Sequence, residues 1–182
     1  MRLIFTSISL FWFLSSKAQV IYTTDTSMVS FFSSTPVEDI EAYNSASTSL
    51  LNVAKSEVVF RVPITSFQFE KPLMQEHFNE NYMESEKYPY ATFKANLSDS
   101  LDLKKDTIYN VSATGVINIH GVDRMQSYKG TIESKDGMAV LKCEFKVALK
   151  DHKIKVPKVV FANIAEEIDV KAYFKYKPYE KK

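Results

Sequence analysis

Acidic and histidine side chains are the residues of this sequence that could act as general acids or bases, or bind a metal ion. His77 stands among Glu76, Glu80 and Glu84, and the four-residue spacing of these acids would place them on one side of a helix. An imidazole with carboxylates can bind zinc or a harder cation. Acidic clusters of this kind are, however, usually solvated helix surfaces. We therefore expect neither a metal site nor a cofactor.

The other candidate nucleophiles and bases stand far apart along the chain. His120 precedes Gly121 in a sequence typical of a turn, where its imidazole is expected to bond nearby backbone, and His152 lies in a lysine-rich stretch. The serine-rich segment 44–52 lacks the glycines that flank the serine of a nucleophile elbow. Cys143 is the lone cysteine, so an internal disulfide is impossible and a redox role is not expected. These patterns predict a non-enzymatic protein without catalytic residues.

The N-terminal segment 1–18 has the pattern of a secretory signal peptide. Arg2 precedes an apolar run, and small residues end at Ala18, which predicts cleavage before Gln19 and a periplasmic or secreted protein. The run is shorter than the roughly 20 residues that span a bilayer, although an uncleaved anchor is the alternative. The remaining segment 19–182 has the length of a single domain.

The charge pattern bears on the class of partner. The formal net charge is +1, and basic and acidic residues are interspersed along the chain. Since nucleic-acid binding needs a concentrated basic surface, we expect no nucleic-acid partner.

Alternating apolar and polar residues dominate the mature chain and predict an all-β fold. Strands with one apolar and one polar face must close or pair to cover their edges, so a barrel of roughly eight antiparallel strands is predicted. Bends are expected near Ser66, where the apolar parity changes, and tight turns at 120–123 and 134–137. The predicted strands are 20–32, 40–53, 57–69, 91–97, 106–119, 125–134, 138–149 and 168–176. The stretch 150–167 receives no element.

One short helix interrupts this pattern. Met74, Phe78 and Tyr82 recur every four residues and would share a helix face, and Pro72 suits the first turn. A helix placed between two strands can close the end of a barrel.

The inward face of the predicted strands mixes small and aromatic residues. Eight strands make a barrel that is either filled by side chains or wide enough for one small ligand, and both alternatives stay open at this point. The inward residues are Ala91, Ala95, Ala113, Gly115, Gly130, Ala139, Cys143 and Ala172, interspersed with Phe93, Phe145 and Phe174.

Four motifs resemble those of the YceI-like family of polyisoprenoid-binding, lipocalin-like periplasmic proteins. They are His77-Phe78 in the helix, Glu86-Lys87-Tyr88-Pro89, Thr92-Phe93-Lys94, and the hairpin from Thr114 to Val122. Their order and spacing agree with the family. The resemblance implies an exported lipocalin-like barrel whose apolar interior holds an isoprenoid tail.

Two functional classes remain. The first is a lipid-binding carrier or store for a polyisoprenoid or acyl chain in the cell envelope. The second is a non-enzymatic structural or interaction barrel with a filled core. Transient contact with a membrane and the formation of a homodimer are further open alternatives. For the first class the expected apolar pocket consists of Phe60, Met74, Phe78, Tyr82, Phe93, Ala113, Ile117, Ala139, Phe145 and Phe174.

Overall fold

The computed structural model describes residues 21–156 and 164–179, so the predicted signal peptide lies outside the described residues. The described strands are β1 (Ile21–Ser34), β2 (Asp39–Asn44), β3 (Thr48–Asn52), β4 (Glu57–Pro63), β5 (Gln68–Phe69), β6 (Tyr90–Leu97), β7 (Thr107–Ile119), β8 (Val122–Lys135), β9 (Met138–Ala148) and β10 (Glu167–Pro178). The α-helix α1 spans Pro72–His77. Within the described segments, none of the helices is long and apolar enough to cross a membrane.

Eight strands close into an antiparallel barrel, which confirms the predicted fold. The order around the ring is β1, β3, β4, β6, β7, β8, β9 and β10, and β10 pairs back with β1. The long β1 pairs with β3 through its first residues and with β2 through its last ones, while β5 pairs with β2. Closure leaves the ring without a free edge over most of its height.

Two of the predicted strands are each interrupted in the structure. The predicted strand 40–53 is divided into β2 and β3 after Asn44, whose side-chain oxygen accepts from the Ala46 N–H and whose amide donates to the Pro63 carbonyl at 2.7 Å. The predicted strand 57–69 is divided by a 3₁₀ turn over Ile64–Ser66. This turn confirms the bend expected near Ser66.

The two predicted hairpin turns are confirmed. His120 and Gly121 have φ of 53° and 70°, and they alone separate β7 from β8. Asp136 and Gly137 have φ of 51° and 73° and separate β8 from β9. Positive φ at both central residues is the type I′ geometry that matches the twist of antiparallel strands.

The predicted helix is partly π-helical. After α1 the chain continues in a π-helical turn over Phe78–Tyr82, closed by the Met83 N–H donating to the Phe78 carbonyl at 2.9 Å. Pro72 occupies the first turn as predicted. Residues four apart still lie near one face, because four residues advance slightly more than one turn of the α-helical part and slightly less than one turn of the wider π-helical part.

One half of the barrel is filled. Leu51, Ile132, Ala139 and Tyr176 are fully buried there, and the Tyr176 hydroxyl lies 2.6 Å from the Ser49 hydroxyl. The connection between β6 and β7 covers this end with Leu101 and Leu103, which are also buried. The other half is hollow.

Candidate ligand cavity

The hollow half of the barrel encloses an apolar cavity of about 510 Å³. Side chains that touch the filled half form its floor, and the helical segment covers its opposite end. The floor residues are Val58, Leu97, Val111, Leu141 and Phe174, and the covering residues are Leu73, Met74, Phe78, Tyr82 and Met83. A cavity with this lining offers an apolar chain the environment of a protein core.

Aromatic rings form a continuous band around the wall. Phe60 packs against Phe174 with ring centroids 5.0 Å apart and against Phe93 at 6.3 Å. Tyr128 extends the band, with its ring 5.4 Å from Phe93 and 4.2 Å from Phe145. These rings come from β4, β6, β8, β9 and β10, so closure of the barrel is what brings them together.

Phe78 fastens the helical segment to the barrel. Its ring lies 5.4 Å from Phe31, 5.6 Å from Phe67 and 5.1 Å from Phe69. Stacked and edge-to-face pairs of this kind add to the burial of the rings. The four phenylalanines therefore hold the cover in place at one side of the cavity.

Nine of the ten predicted pocket residues line this cavity, and Ala139 does not. Ala139 faces inward as predicted but is fully buried in the filled half, opposite Tyr176 of β10. Parity along a strand gives the face of a residue, whereas its height along the barrel axis decides whether it meets empty space. Ala113, on the neighbouring wall, is only partly buried because it borders the cavity.

Several lining residues were missing from the predicted pocket. Val29 and Phe31 of β1 and Ile168 of β10 face the cavity, and their alternation with polar neighbours was a usable signal. Leu149 ends the predicted strand 138–149 and begins a 3₁₀ turn, and Ile154 follows that turn in the stretch that received no predicted element. Leu149 continues the alternation of that strand, whereas the contribution of Ile154 depends on tertiary contacts and left no periodic pattern in the sequence.

Two polar groups in the cavity wall are electrically neutral. Burial raises the pKa of Tyr128 to about 12 and that of Cys143 to about 11. The Cys143 thiol donates to the Lys129 carbonyl at 3.1 Å. Since a thiolate is the nucleophilic form of cysteine, this thiol is a poor nucleophile at neutral pH.

The rim of the cavity carries charged and exposed residues. Lys71 and Glu38 form an ion pair at 2.7 Å, and the hydrogen bond to Glu38 raises the pKa of Lys71. Leu73 is 59% exposed beside them although it also lines the cavity. The rim thus combines a charged pair with exposed apolar surface.

The structure separates the acidic residues that the sequence placed around His77. His77 is exposed at the rim, and Glu84 lies beyond the helical segment with φ of 43°, so the acids 76, 80 and 84 do not share one helix face. His120 bonds the His152 carbonyl, which confirms a backbone partner. Over residues 21–156 and 164–179, no group of three or more His, Cys, Asp or Glu side chains is arranged to bind a metal ion.

Comparison with family models gives one match. A model described as the YceI-like domain matches residues 20–176, which is most of the chain. No curated protein matches the sequence at a significant level.

Solved structures with the same fold come from several bacteria. A polyisoprenoid-binding domain from Saccharophagus degradans, implicated in plant cell wall breakdown, aligns with a TM-score of 0.71 at 15% identity, covering 87% of this chain and 98% of that one. BcnA from Burkholderia cenocepacia aligns with 0.69 at 15% identity, over 82% and 95%. A Campylobacter jejuni YCEI protein aligns with 0.55 at 14% identity, over 99% and 94%. At these identities the likeness shows the fold.

Proposed function

Because the chain belongs to the YceI-like domain family, we propose that it is an exported lipid-binding protein that holds a long polyisoprenoid or acyl chain inside its barrel. The observation that carries the proposal is the apolar cavity, which has a closed floor and a charged rim at the end under the helical segment. A related fold is described as a polyisoprenoid-binding domain, which supports an isoprenoid as the ligand class.

The size of the cavity is consistent with a long chain. At ~30 Å³ per water-sized group, a volume of about 510 Å³ accommodates roughly 17 methylene-sized groups. Burial at about 0.8 kcal/mol per methylene gives a gross gain of about 14 kcal/mol. An association cost of about 6 kcal/mol leaves about 8 kcal/mol, which corresponds to micromolar binding. Such an affinity suits a carrier that must also release its ligand.

The chemistry of the wall supports binding rather than catalysis. Tyr128 and Cys143 are neutral, and the Cys143 thiol is already bonded to backbone. General acid-base work requires a titratable group held against the substrate, and His77, which also lines the cavity, is exposed at the rim. We therefore propose a non-enzymatic role for the cavity.

Transfer to and from a membrane is part of the proposal. Leu73 at the rim is 59% exposed, and Val37, next to the rim residue Glu38, is 64% exposed. These two apolar side chains could enter a bilayer surface briefly while the passenger moves. Export and action in the envelope follow from the predicted signal peptide in segment 1–18. A homodimer stays a prediction.

The filled-core alternative has less support. Only one half of the barrel is filled, and the other half encloses the cavity. A barrel used purely as an interaction surface gains nothing from such a void, because missing contacts around empty space lower stability.

The test is to identify the passenger directly. Protein purified from its native envelope is extracted with organic solvent, and the extract is examined by mass spectrometry. A stoichiometric apolar molecule is the expected result, and Ala113→Trp protein purified in parallel should carry much less of it. An empty extract from the native protein, together with failure to take up isoprenoid or acyl chains in vitro, would refute the carrier function.

A further inference from the structure

His120 lies outside the cavity wall and makes two polar contacts in opposite directions. Its Nδ1 is 3.1 Å from the His152 carbonyl oxygen, and its Nε2 is 2.8 Å from Oε2 of Glu84. A carbonyl oxygen and an ionised carboxylate can only accept, so each contact is a hydrogen bond only if the facing ring nitrogen carries a proton. The doubly protonated imidazolium satisfies both contacts, whereas a neutral ring satisfies one.

The three segments joined by these contacts all supply cavity wall. Glu84 directly follows Met83, His120 directly follows Ile119, and His152 lies between Leu149 and Ile154. Each of these four apolar neighbours lines the cavity. Met83 and Ile154, with Ile64, also form a small core cluster separate from the main one. His120 therefore bridges the end of the helical segment, the turn between β7 and β8, and the 3₁₀ turn over Leu149–His152, next to this small apolar cluster.

Backbone geometry and packing fix the position of the ring. His120 and Glu84 both have positive φ, of 53° and 43°, which is uncommon for residues other than glycine. The ring packs edge-to-face on Tyr88 at 4.6 Å. Gly121 permits this packing, since a Cβ at that position would lie 2.4 Å from Cε1 of Tyr88. The side chain of His120 is only 9% exposed, whereas that of Glu84 is 48% exposed.

We infer that His120 is a positioning residue that fastens the covering segment to the barrel when protonated and loosens it when neutral. In this role it controls how fast the passenger exchanges, so the inference rests on the proposed carrier function. A neutral ring loses one of the two hydrogen bonds, so exchange of the ligand becomes faster as the pH rises.

The neighbouring charges are compatible with this switch. Glu84 is the acid that faces the imidazole. Lys87 lies over the ring of Tyr88, with its Nζ 4.9 Å from the ring centroid. The ring of His152 is buried, which lowers its pKa and favours its neutral form. On β8, Arg124 donates to the Asp151 carbonyl and Asp123 accepts from Asn118, so both are engaged elsewhere.

Glu84→Gln is the decisive variant. A glutamine amide can donate to an unprotonated Nε2 while Nδ1–H still donates to the His152 carbonyl, so a neutral ring keeps both bonds. Glu86→Gln makes the same chemical change two residues away, at an exposed position, and serves as the matched control. Dissociation of an uncharged naphthylamine dye is followed by stopped flow from pH 5.5 to 8.5.

Wild type and Glu86→Gln should lose the dye roughly fivefold faster at pH 8.5 than at pH 5.5, a modest factor because Glu84 is half exposed. Glu84→Gln should show the same rate at both pH values. A flat profile in wild type, or an unchanged profile in Glu84→Gln, overturns the inference.

Absence of dye binding at any pH would instead count against the carrier function. The inference is then judged on amide hydrogen exchange over 78–84, corrected for the intrinsic effect of pH. Exchange must still rise with pH in wild type and not in Glu84→Gln, and any other pattern overturns it.

Discussion

Tryptophan placed at Ala113 should block lipid uptake without weakening the fold. Ala113 borders the cavity on β7, so its replacement would project an indole into empty space. A cavity of about 150 Å³ accommodates one benzene-sized ring, so an indole takes up roughly a third of the volume of about 510 Å³. Displacing about five methylenes removes about 4 kcal/mol of burial, which predicts uptake roughly 10³-fold weaker.

Tryptophan at Ala139 is the matched comparison with the opposite expected result. Ala139 is fully buried between Ser134 and Tyr176 in the filled half, where no space receives an indole. Overpacking costs about 1 to 3 kcal/mol, and each kcal/mol lowers Tm by about 2 to 4 °C in a domain of this size. The variant should therefore melt earlier, and if it folds it should bind lipid through an intact cavity.

The assay is uptake of a fluorescent long-chain lipid with a melting curve for each variant. The reasoning predicts that uptake and stability separate cleanly between the two positions. If Ala113→Trp takes up as much lipid as the wild-type protein, the lipid does not occupy this cavity. Loss of stability in Ala113→Trp but not in Ala139→Trp would show that the assignment of the hollow and filled halves is inverted.

Three further predictions follow. The intact mass of the exported protein should correspond to a chain beginning at Gln19, and a mass that includes segment 1–18 would indicate an uncleaved anchor. Cys143 should react slowly with a bulky thiol reagent near neutral pH, and more slowly with lipid bound; because its pKa is raised from 9.0 to about 11, it favours the folded state below about pH 9, and this contribution is lost as the pH rises towards 11. Rapid labelling of the native protein would contradict its inward position. Phe78→Ala should lower the free energy of unfolding by about 3 kcal/mol in denaturant titrations, since it removes ring contacts with Phe31, Phe67 and Phe69; a change below about 1 kcal/mol would mean that the covering segment is held elsewhere.

Several features of the fold were predictable because they depend on local patterns. Alternation along β9 placed Leu141 and Cys143 on the inward face, since successive side chains in a strand point to opposite sides. The His120-Gly121 and Asp136-Gly137 pairs predicted tight turns, because glycine adopts positive φ freely and histidine and aspartate do so more often than most other residues. The change of parity near Ser66 predicted the bend at Ile64–Ser66.

Other features depend on contacts between distant residues. His120 meets Glu84, which is 36 residues away, and the carbonyl of His152, which is 32 residues away. Ile154 stands in a stretch without a periodic pattern, yet its side chain completes the cavity wall. A periodic pattern arises only from contacts that recur every two or four residues, and single contacts between distant residues leave no such pattern.

The sequence by itself determined the antiparallel strands, their inward faces and the eight-membered ring, because period-two alternation and turn chemistry act within a few residues. It treated Ala113 and Ala139 as equivalent inward alanines. Only the tertiary structure decided that one borders a cavity and the other is packed solid. The physical reason is that empty volume is a sum over all eight strands and both end covers: Leu101 and Leu103 cover a filled end, whereas the helical segment with Phe78 spans the other end above open space.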